Sequence, residues 1–209
     1  MFITIEGIEG SGKTTQIHNI VHYLNGKGYD CIVTREPGGT KIGEKIRSIL
    51  LDPESKDMMP LAELMLYMAD RAQHITTVIT PMLAMGKTVL CDRYIDATVV
   101  YQGFARGLDI NLIDSLHRTV LGNLKPDVTI LLDLPAHLGL SRAWKEINNG
   151  SRSGIETRFE EEALTFHEKV RAGYLTLSQR EKERFQVVDA SGDEKQVFQE
   201  IIKVLSLYT

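Results

Sequence analysis

Cysteine is scarce in this sequence: two in 209 residues, Cys31 and Cys91. Each lies in an apolar, β-prone run, which reads as two core thiols and excludes a disulfide framework or a thiolate metal site. A surplus of positive charge is also missing. Lysine and arginine number 24 against 28 aspartates and glutamates, for a net charge of −4. A nucleic-acid-binding surface needs the opposite sign, so no nucleic-acid partner is expected, and any anion site must be locally basic on an acidic body. No apolar run approaches the roughly 20 residues of a membrane span, so no membrane association is expected. The apolar opening, Phe2 to Ile8, is too short for a secretory leader, and the expected location is cytoplasmic. No repeat, low-complexity tract or linker divides the chain, which reads as one domain over residues 1–209.

What is present is concentrated near the start. Phe2-Ile3-Thr4-Ile5-Glu6 is followed by Gly7-Ile8-Glu9-Gly10-Ser11-Gly12-Lys13-Thr14-Thr15, which meets G-x-x-x-x-G-K-[ST] at every fixed position. The glycines let the backbone curl until its N–H groups face phosphate oxygens, Lys13 reaches the β- and γ-phosphates, and the Thr14 hydroxyl suits Mg²⁺. Residues 7–15 are therefore the expected ATP-binding loop. Its flanks agree. An apolar strand precedes it, and Ile17, Ile20, Val21 and Leu24 lie on one face of a helix that follows and ends at Gly26 and Gly28. That helix adds its positive N-terminus to the loop.

Strand-like and helical runs then alternate. The predicted strands are 2–6, 31–35, 88–92, 128–133 and 186–189. Several are nearly continuous apolar runs, as buried parallel strands are, so the expected fold is α/β with a parallel sheet. Each run ends on a polar residue: Glu6, Arg35-Glu36, Asp92-Arg93, Asp133, Asp189. Ligands bind beyond the carboxyl ends of such strands. Solvation alone explains Asp133 and Asp189, but it explains the doublets poorly. Asp92 is placed to help hold Mg²⁺ directly or through water, and Arg93 to neutralise phosphate.

Other features have bland readings. Thr40, after Pro37-Gly38-Gly39, is a helix cap. Leu61, Leu64, Met65 and Met68 read as one packed helix face, Arg71 on its own as a solvated arginine, and His74 as a surface or half-buried histidine. Glu160-Glu161-Glu162 is expected to start a helix, where acids suit the dipole. The stretch from about residue 148 to 158 is rich in Asn, Gly and Ser. Arg142, Lys145, Arg152 and Arg158 surround it, which reads as a mobile lid.

Taken together, the phosphate loop, Arg35-Glu36-Pro37-Gly38-Gly39-Thr40, Asp70-Arg71, Asp92-Arg93-Tyr94, Tyr101-Gln102-Gly103 and Pro126-Asp127 resemble the thymidylate kinase family of nucleoside-monophosphate kinases over nearly the whole chain. The resemblance implies a P-loop three-layer sandwich built on a five-stranded parallel sheet, a homodimer, and transfer of the γ-phosphoryl group of ATP to dTMP in dTTP biosynthesis. It also implies site roles. Arg71 and Arg93 hold the monophosphate, with Glu36 beside it. Tyr67 stacks on thymine, Thr98 meets the thymine edge, and Gln102 belongs to the dTMP site. Tyr101 packs where a 2′-OH would project, and Glu9 lies near the 3′-OH and the metal. The segment after Asp189 borders the adenine. Some members carry an arginine within the loop, where this chain has Ile8, Glu9 and Ser11. The chain thus looks like the subgroup whose catalytic arginine comes from the lid, here Arg152 or Arg158. Thr157 stands where aspartate often precedes that arginine.

Lys13, Arg93, Mg²⁺ and a lid arginine would then share the developing charge without a covalent intermediate. Two rivals stand beside this reading. One is a kinase for another nucleotide or nucleoside, and the other is a nucleotide-dependent switch with a protein partner. A switch needs no acceptor-side phosphate site.

Overall fold

Five runs of β-branched and apolar residues become five parallel strands in the computed structural model, which describes residues 1–122, 124–150 and 155–209. They are β1 (Phe2–Glu6), β2 (Cys31–Arg35), β3 (Thr88–Asp92), β4 (Val128–Asp133) and β5 (Phe185–Asp189), in the spatial order β2-β3-β1-β4-β5. β1 is buried along its full length and β4 along all but its last residue, so both faces of the central sheet are covered. That is why these strands read as unbroken apolar runs. Ile3, Ile5, Leu90, Val128, Ile130 and Leu132 are fully buried, each worth about 1.5–3 kcal/mol relative to exposure.

Register decides the site. Arg35 of β2 and Ile5 of β1 both pair with Asp92 of β3. The three polar strand ends therefore lie side by side at one edge. Chain order changes direction around β1, which makes that edge the switch point where α/β sheets bind ligands.

Helices flank the sheet. Helix α1 (Lys13–Gly26) starts directly after the loop, and α2 (Lys41–Leu51) is capped by Thr40, whose side chain accepts from Gly43 N at 2.8 Å. Helix α3 (Pro60–His74) runs through a π-helical segment, Ile75–Ile79, into α4 (Thr80–Ala84). The wider turn lies immediately before Pro81, whose ring would collide with an ordinary preceding turn. Helix α5 (Ile95–Thr98) likewise opens into a π-helical segment, Val99–Ala105. Gly103 packs against α6 (Ile110–Leu121), where a Cβ would lie 2.3 Å from Ile110 Cδ1 and would make that methyl shift. Helix α7 (Ala136–Asn148), α8 (Leu164–Arg180) and α9 (Glu194–Leu205) complete the order, α9 with a full capping box from Asp193 and Gln196.

Some expectations change. Of the methionine-bearing face of α3, Leu64 and Met68 are buried, but Leu61 and Met65 are 49% and 42% exposed. Cys91 is in the core, while Cys31 is only half-buried at the start of an edge strand. Glu160 to Glu162 do not begin a helix, because α8 starts at Leu164. Glu162 instead pairs with Arg106 at 2.6 Å, and Glu161 accepts from the Thr157 hydroxyl at 3.0 Å. No described helix is long and apolar enough to cross a membrane.

Candidate active site

The loop after β1 wraps one end of a cleft of about 620 Å³, lined among others by residues 9–15, Glu36, Tyr67, Arg71, Asp92, Arg93, Thr98, Tyr101 and Gln102. Gly7, Gly10 and Gly12 all have positive φ, the conformation an L side chain resists. Gly10 also packs so closely on α7 that a Cβ would stand 2.0 Å from Gly139 O. Gly12 is the left-handed N-cap of α1 and offers no side-chain cap, which leaves the first N–H groups of the helix to a ligand.

Lys13 Nζ donates to Gly7 O and Ile8 O, both at 3.0 Å. Burial and then the nearby Arg93 pull its pKa down to about 8. Arg93 holds a positive φ of 63°, rare for a residue with a side chain. Its guanidinium reaches Gly7 O at 3.2 Å, Glu9 Oε1 at 2.7 Å and the Tyr101 hydroxyl at 3.0 Å. Tyr101 in turn donates to Glu9 Oε1 at 2.7 Å. Burial works against the charge of Glu9, but Arg93, His167 and Lys13 outweigh it and hold the carboxyl well below its usual range. Glu6 is fully buried below this cluster. It accepts from Tyr94 N at 2.7 Å and from the Tyr174 hydroxyl at 2.7 Å, and burial and the nearby Asp96 raise its pKa to about 7.

A second cluster sits at the other end. Arg71 is 1% exposed, far from a solvated arginine. Its Nε meets Glu36 Oε2 at 2.7 Å, Nη1 meets Thr98 Oγ1 at 3.0 Å and His117 Nε2 at 2.9 Å, and Nη2 meets Tyr94 O at 3.1 Å. His117, on α6, is held neutral by burial and by Arg71, its pKa pulled down to about 3, so its Nε2 accepts. His74 is not at the surface but fully buried. Its Nδ1 lies 2.9 Å from the other Glu36 oxygen, and its Nε2 bonds to Thr34 Oγ1. Both oxygens of Glu36 are thus occupied, and its work is to hold Arg71.

Asp92 carries the observation that bears on a metal. Its Oδ1 is buried and accepts no hydrogen bond among the described residues, which is how an oxygen meant for a hard cation is left. Thr14 and Asp92 both line the cleft. No cluster of three or more His, Cys, Asp or Glu suited to a metal occurs among the described residues. Mg²⁺ needs none, because it takes one or two protein oxygens beside substrate phosphates and water.

The lid expectations divide. Arg152 lies outside the described residues. Arg158 is described and is not a free lid arginine. It is 4% exposed, donates to Leu50 O at 3.1 Å and Ser55 O at 3.0 Å, and pairs with Glu63 at 2.6 Å. A guanidinium tied to three acceptors cannot swing to a phosphate, so the expectation that Arg158 is catalytic does not fit its place. Arg142 is spent on Ala190 O and Ser191 O at 3.1 and 3.3 Å. Asp133 pairs with Arg171 at 2.7 Å, as a merely solvated strand end would. Sequence reasoning missed Arg47, which lines the cleft and clamps Glu156 at 2.9 and 2.6 Å. It also missed His117 and His167, the latter fully buried with Nδ1 3.1 Å from Glu9 Oε2. No local signal separates these from ordinary helix residues, because what marks them is a distant partner.

Comparison with known proteins agrees with this geometry. A family model described as thymidylate kinase matches residues 5–201. The thymidylate kinase of Desulfosudis oleivorans is 56% identical over 205 residues, covering 98% of this chain and 96% of that protein. That of Desulforapulum autotrophicum is 58% identical over 202 residues, covering 97% and 89%. The crystal structure of thymidylate kinase from Ehrlichia chaffeensis superposes with a TM-score of 0.77 at 34% identity, covering 98% of each chain.

Proposed function

The chain belongs to the thymidylate kinase family and phosphorylates dTMP, and we propose that it does so by gathering positive charge around the phosphate loop while a separate buried cluster holds the base. The observation that carries this reading is the convergence of Lys13 and Arg93 on the carbonyl of Gly7, beside Asp92.

An oxygen of the dTMP phosphate attacks the γ-phosphorus of ATP. A P–O bond forms to the acceptor as the bond to the β-phosphate oxygen breaks, giving dTDP and ADP. Both reactants are anions, so the task is positioning and charge stabilisation. The acceptor is already ionised at neutral pH and needs no general base. Residues 7–15 cradle the ATP phosphates. Lys13 exchanges its two carbonyl contacts for the β- and γ-phosphates, whose charge favours its protonated form. Thr14 and Asp92 would hold Mg²⁺, which supplies charge neutralisation between phosphate oxygens when bound. Arg93 bridges the loop and the acceptor phosphate, and Glu9 and Tyr101 steady it on the sugar side.

Arg71 deserves a different role from the expected one. Four hydrogen bonds leave its guanidinium a single free N–H. A phosphate asks for more, whereas one N–H suits a carbonyl oxygen of the base beside Thr98 and Gln102. Tyr67 stacks on that base. Residues 148–158 act as the lid of a single domain, with Arg152 as its catalytic arginine, and the segment after Asp189 borders the adenine. The exposed Ile42 and Ile49 of α2, Leu61 and Met65 of α3 and Leu112 of α6 support a homodimer, since a run of apolar residues on neighbouring helices marks an interface. The protein works in the cytoplasm.

The test is ADP release measured against a panel of nucleoside monophosphates, for wild type and Lys13→Ala. dTMP should be the preferred acceptor, and Lys13→Ala should lose at least ~100-fold in turnover with its fold intact. Near-normal turnover in the folded variant overturns the assignment of Lys13.

A further inference from the structure

Glu63 of α3 is a fully buried carboxylate that does not line the cleft and has no part in the chemistry described above. Three side chains donate to it. Arg158 Nη1 is 2.6 Å from Oε2, Arg106 Nε is 3.3 Å from Oε1, and Gln102 Nε2 is 2.8 Å from Oε1. A carboxylate between two guanidinium groups only accepts hydrogen bonds. The Gln102 amide must therefore turn its NH₂ toward Glu63. No described residue donates to its Oε1, and Gln102, although only 1% exposed, lines the cleft. The side chain thus offers the cleft an acceptor.

We infer that Glu63 is a positioning residue for substrate choice: by locking the Gln102 amide, it makes the cleft accept a pyrimidine with an N–H at N3 and refuse one with a lone pair there. Thymine carries that N–H. Cytosine presents its N3 lone pair, which meets Oε1 as acceptor against acceptor and leaves two buried groups unsatisfied. The inference rests on the proposed placement of the base beside Gln102.

The neighbours of Glu63 make the lock reversible on paper. In Glu63→Gln, Arg158 still requires an oxygen at the Oε2 position, so the new amide nitrogen falls at the Oε1 position and faces Gln102. Arg106 Nη2 also donates to Oε2 at 3.3 Å, which further favours oxygen there, while Arg106 Nε gives up its 3.3 Å contact to Oε1 and Arg106 keeps Glu162 at 2.6 Å as its partner. Gln102 must then give its oxygen to residue 63 and show its NH₂ to the cleft. Donor and acceptor change places at the cost of that one long Arg106 contact.

The experiment compares kcat/KM for dTMP and for 5-methyl-dCMP, which share the methyl group and differ at N3 and C4. Wild type should favour dTMP strongly. Glu63→Gln should lower that preference at least about tenfold, through a higher KM for dTMP and a lower one for 5-methyl-dCMP, with kcat for dTMP little changed. A merely loosened fold would not improve the use of 5-methyl-dCMP. An unchanged preference in a variant that melts cooperatively overturns the inference. Gln102→Leu separates the two layers. If it collapses the preference while Glu63→Gln leaves it intact, the lock is wrong and the base placement stands. If it leaves KM for dTMP unchanged, the placement itself fails. Should Glu63→Gln not fold, N3-methylated dTMP decides the matter on wild type, where the inference expects weakened binding and undiminished binding overturns it.

Discussion

Glu6→Gln tests how the site stores a cost in stability. Glu6 is fully buried, and its carboxylate accepts from Tyr94 N and the Tyr174 hydroxyl without a direct cationic partner. Burial first, and then Asp96, lift its pKa from 4.5 to about 7, against Tyr174, Tyr94 and Arg93, which pull the other way. Asp96 is itself paired with Arg184 at 2.7 Å. The folded chain therefore holds the Glu6 proton more tightly than the unfolded chain. That contribution is complete below pH 4.5, is lost as pH rises toward 7, and is flat above. At about 1.4 kcal/mol per pKa unit, the loss between pH 5 and pH 8 is about 2.5 kcal/mol. Glutamine keeps the shape and carries no charge. Its oxygen still accepts from Tyr94 N, and the Tyr174 hydroxyl rotates to accept from the amide. Relative to wild type the variant should gain about 2.5 kcal/mol between the two pH values. With a urea slope of about 2 kcal/mol/M, that is a midpoint gain of about 1 M at pH 8 over pH 5. Asp70, also raised to about 7 by burial and Glu36, is common to both proteins and cancels. Turnover should be nearly kept, because Tyr94 N still anchors the backbone beside Arg93. A stability difference that is the same at both pH values refutes the reasoning.

Arg158→Ala should cost about 3–5 kcal/mol, because it removes the shortest ion pair of the buried Glu63, leaving it Arg106 and Gln102, and takes a donor from the carbonyls of Leu50 and Ser55. Arg152→Ala should leave the melting temperature alone and lower kcat by about 10². Melting curves and kcat for both variants check this, and wild-type kcat in Arg152→Ala refutes its catalytic role. Tyr101→Ala should narrow the preference for dTMP over its ribose counterpart in a competition assay, and equal use of both by wild type refutes the steric argument. If the proposed homodimer forms through α3, Met65→Arg should reduce its mass to that of a monomer by light scattering, and an unchanged dimer mass removes α3 from the interface.

Much of this protein was legible locally. The phosphate loop is a contiguous pattern whose glycines meet the backbone requirement directly. Strand and helix periods are short-range, so the strands emerged within a residue of their observed bounds. Thr40 caps its helix as its position suggests. Strand ends in polar doublets also fall at one cleft, which Arg35, Glu36, Asp92 and Arg93 line, because a parallel sheet brings its carboxyl ends together.

What the tertiary structure decided is the standing of each polar side chain, since burial depends on partners far away in the chain. His74 and Arg71 look solvated in isolation, yet Glu36, more than 30 residues away, turns them into one buried assembly. Arg158 reads as a lid arginine until Glu63, from a helix near residue 60, claims it. The acids at 160–162 fit a helix start by dipole, but Arg106 offers Glu162 a nearer charge. A charged group leaves water only where another supplies its hydrogen bonds, and which group that is follows from the packing of distant elements, which no window of sequence contains.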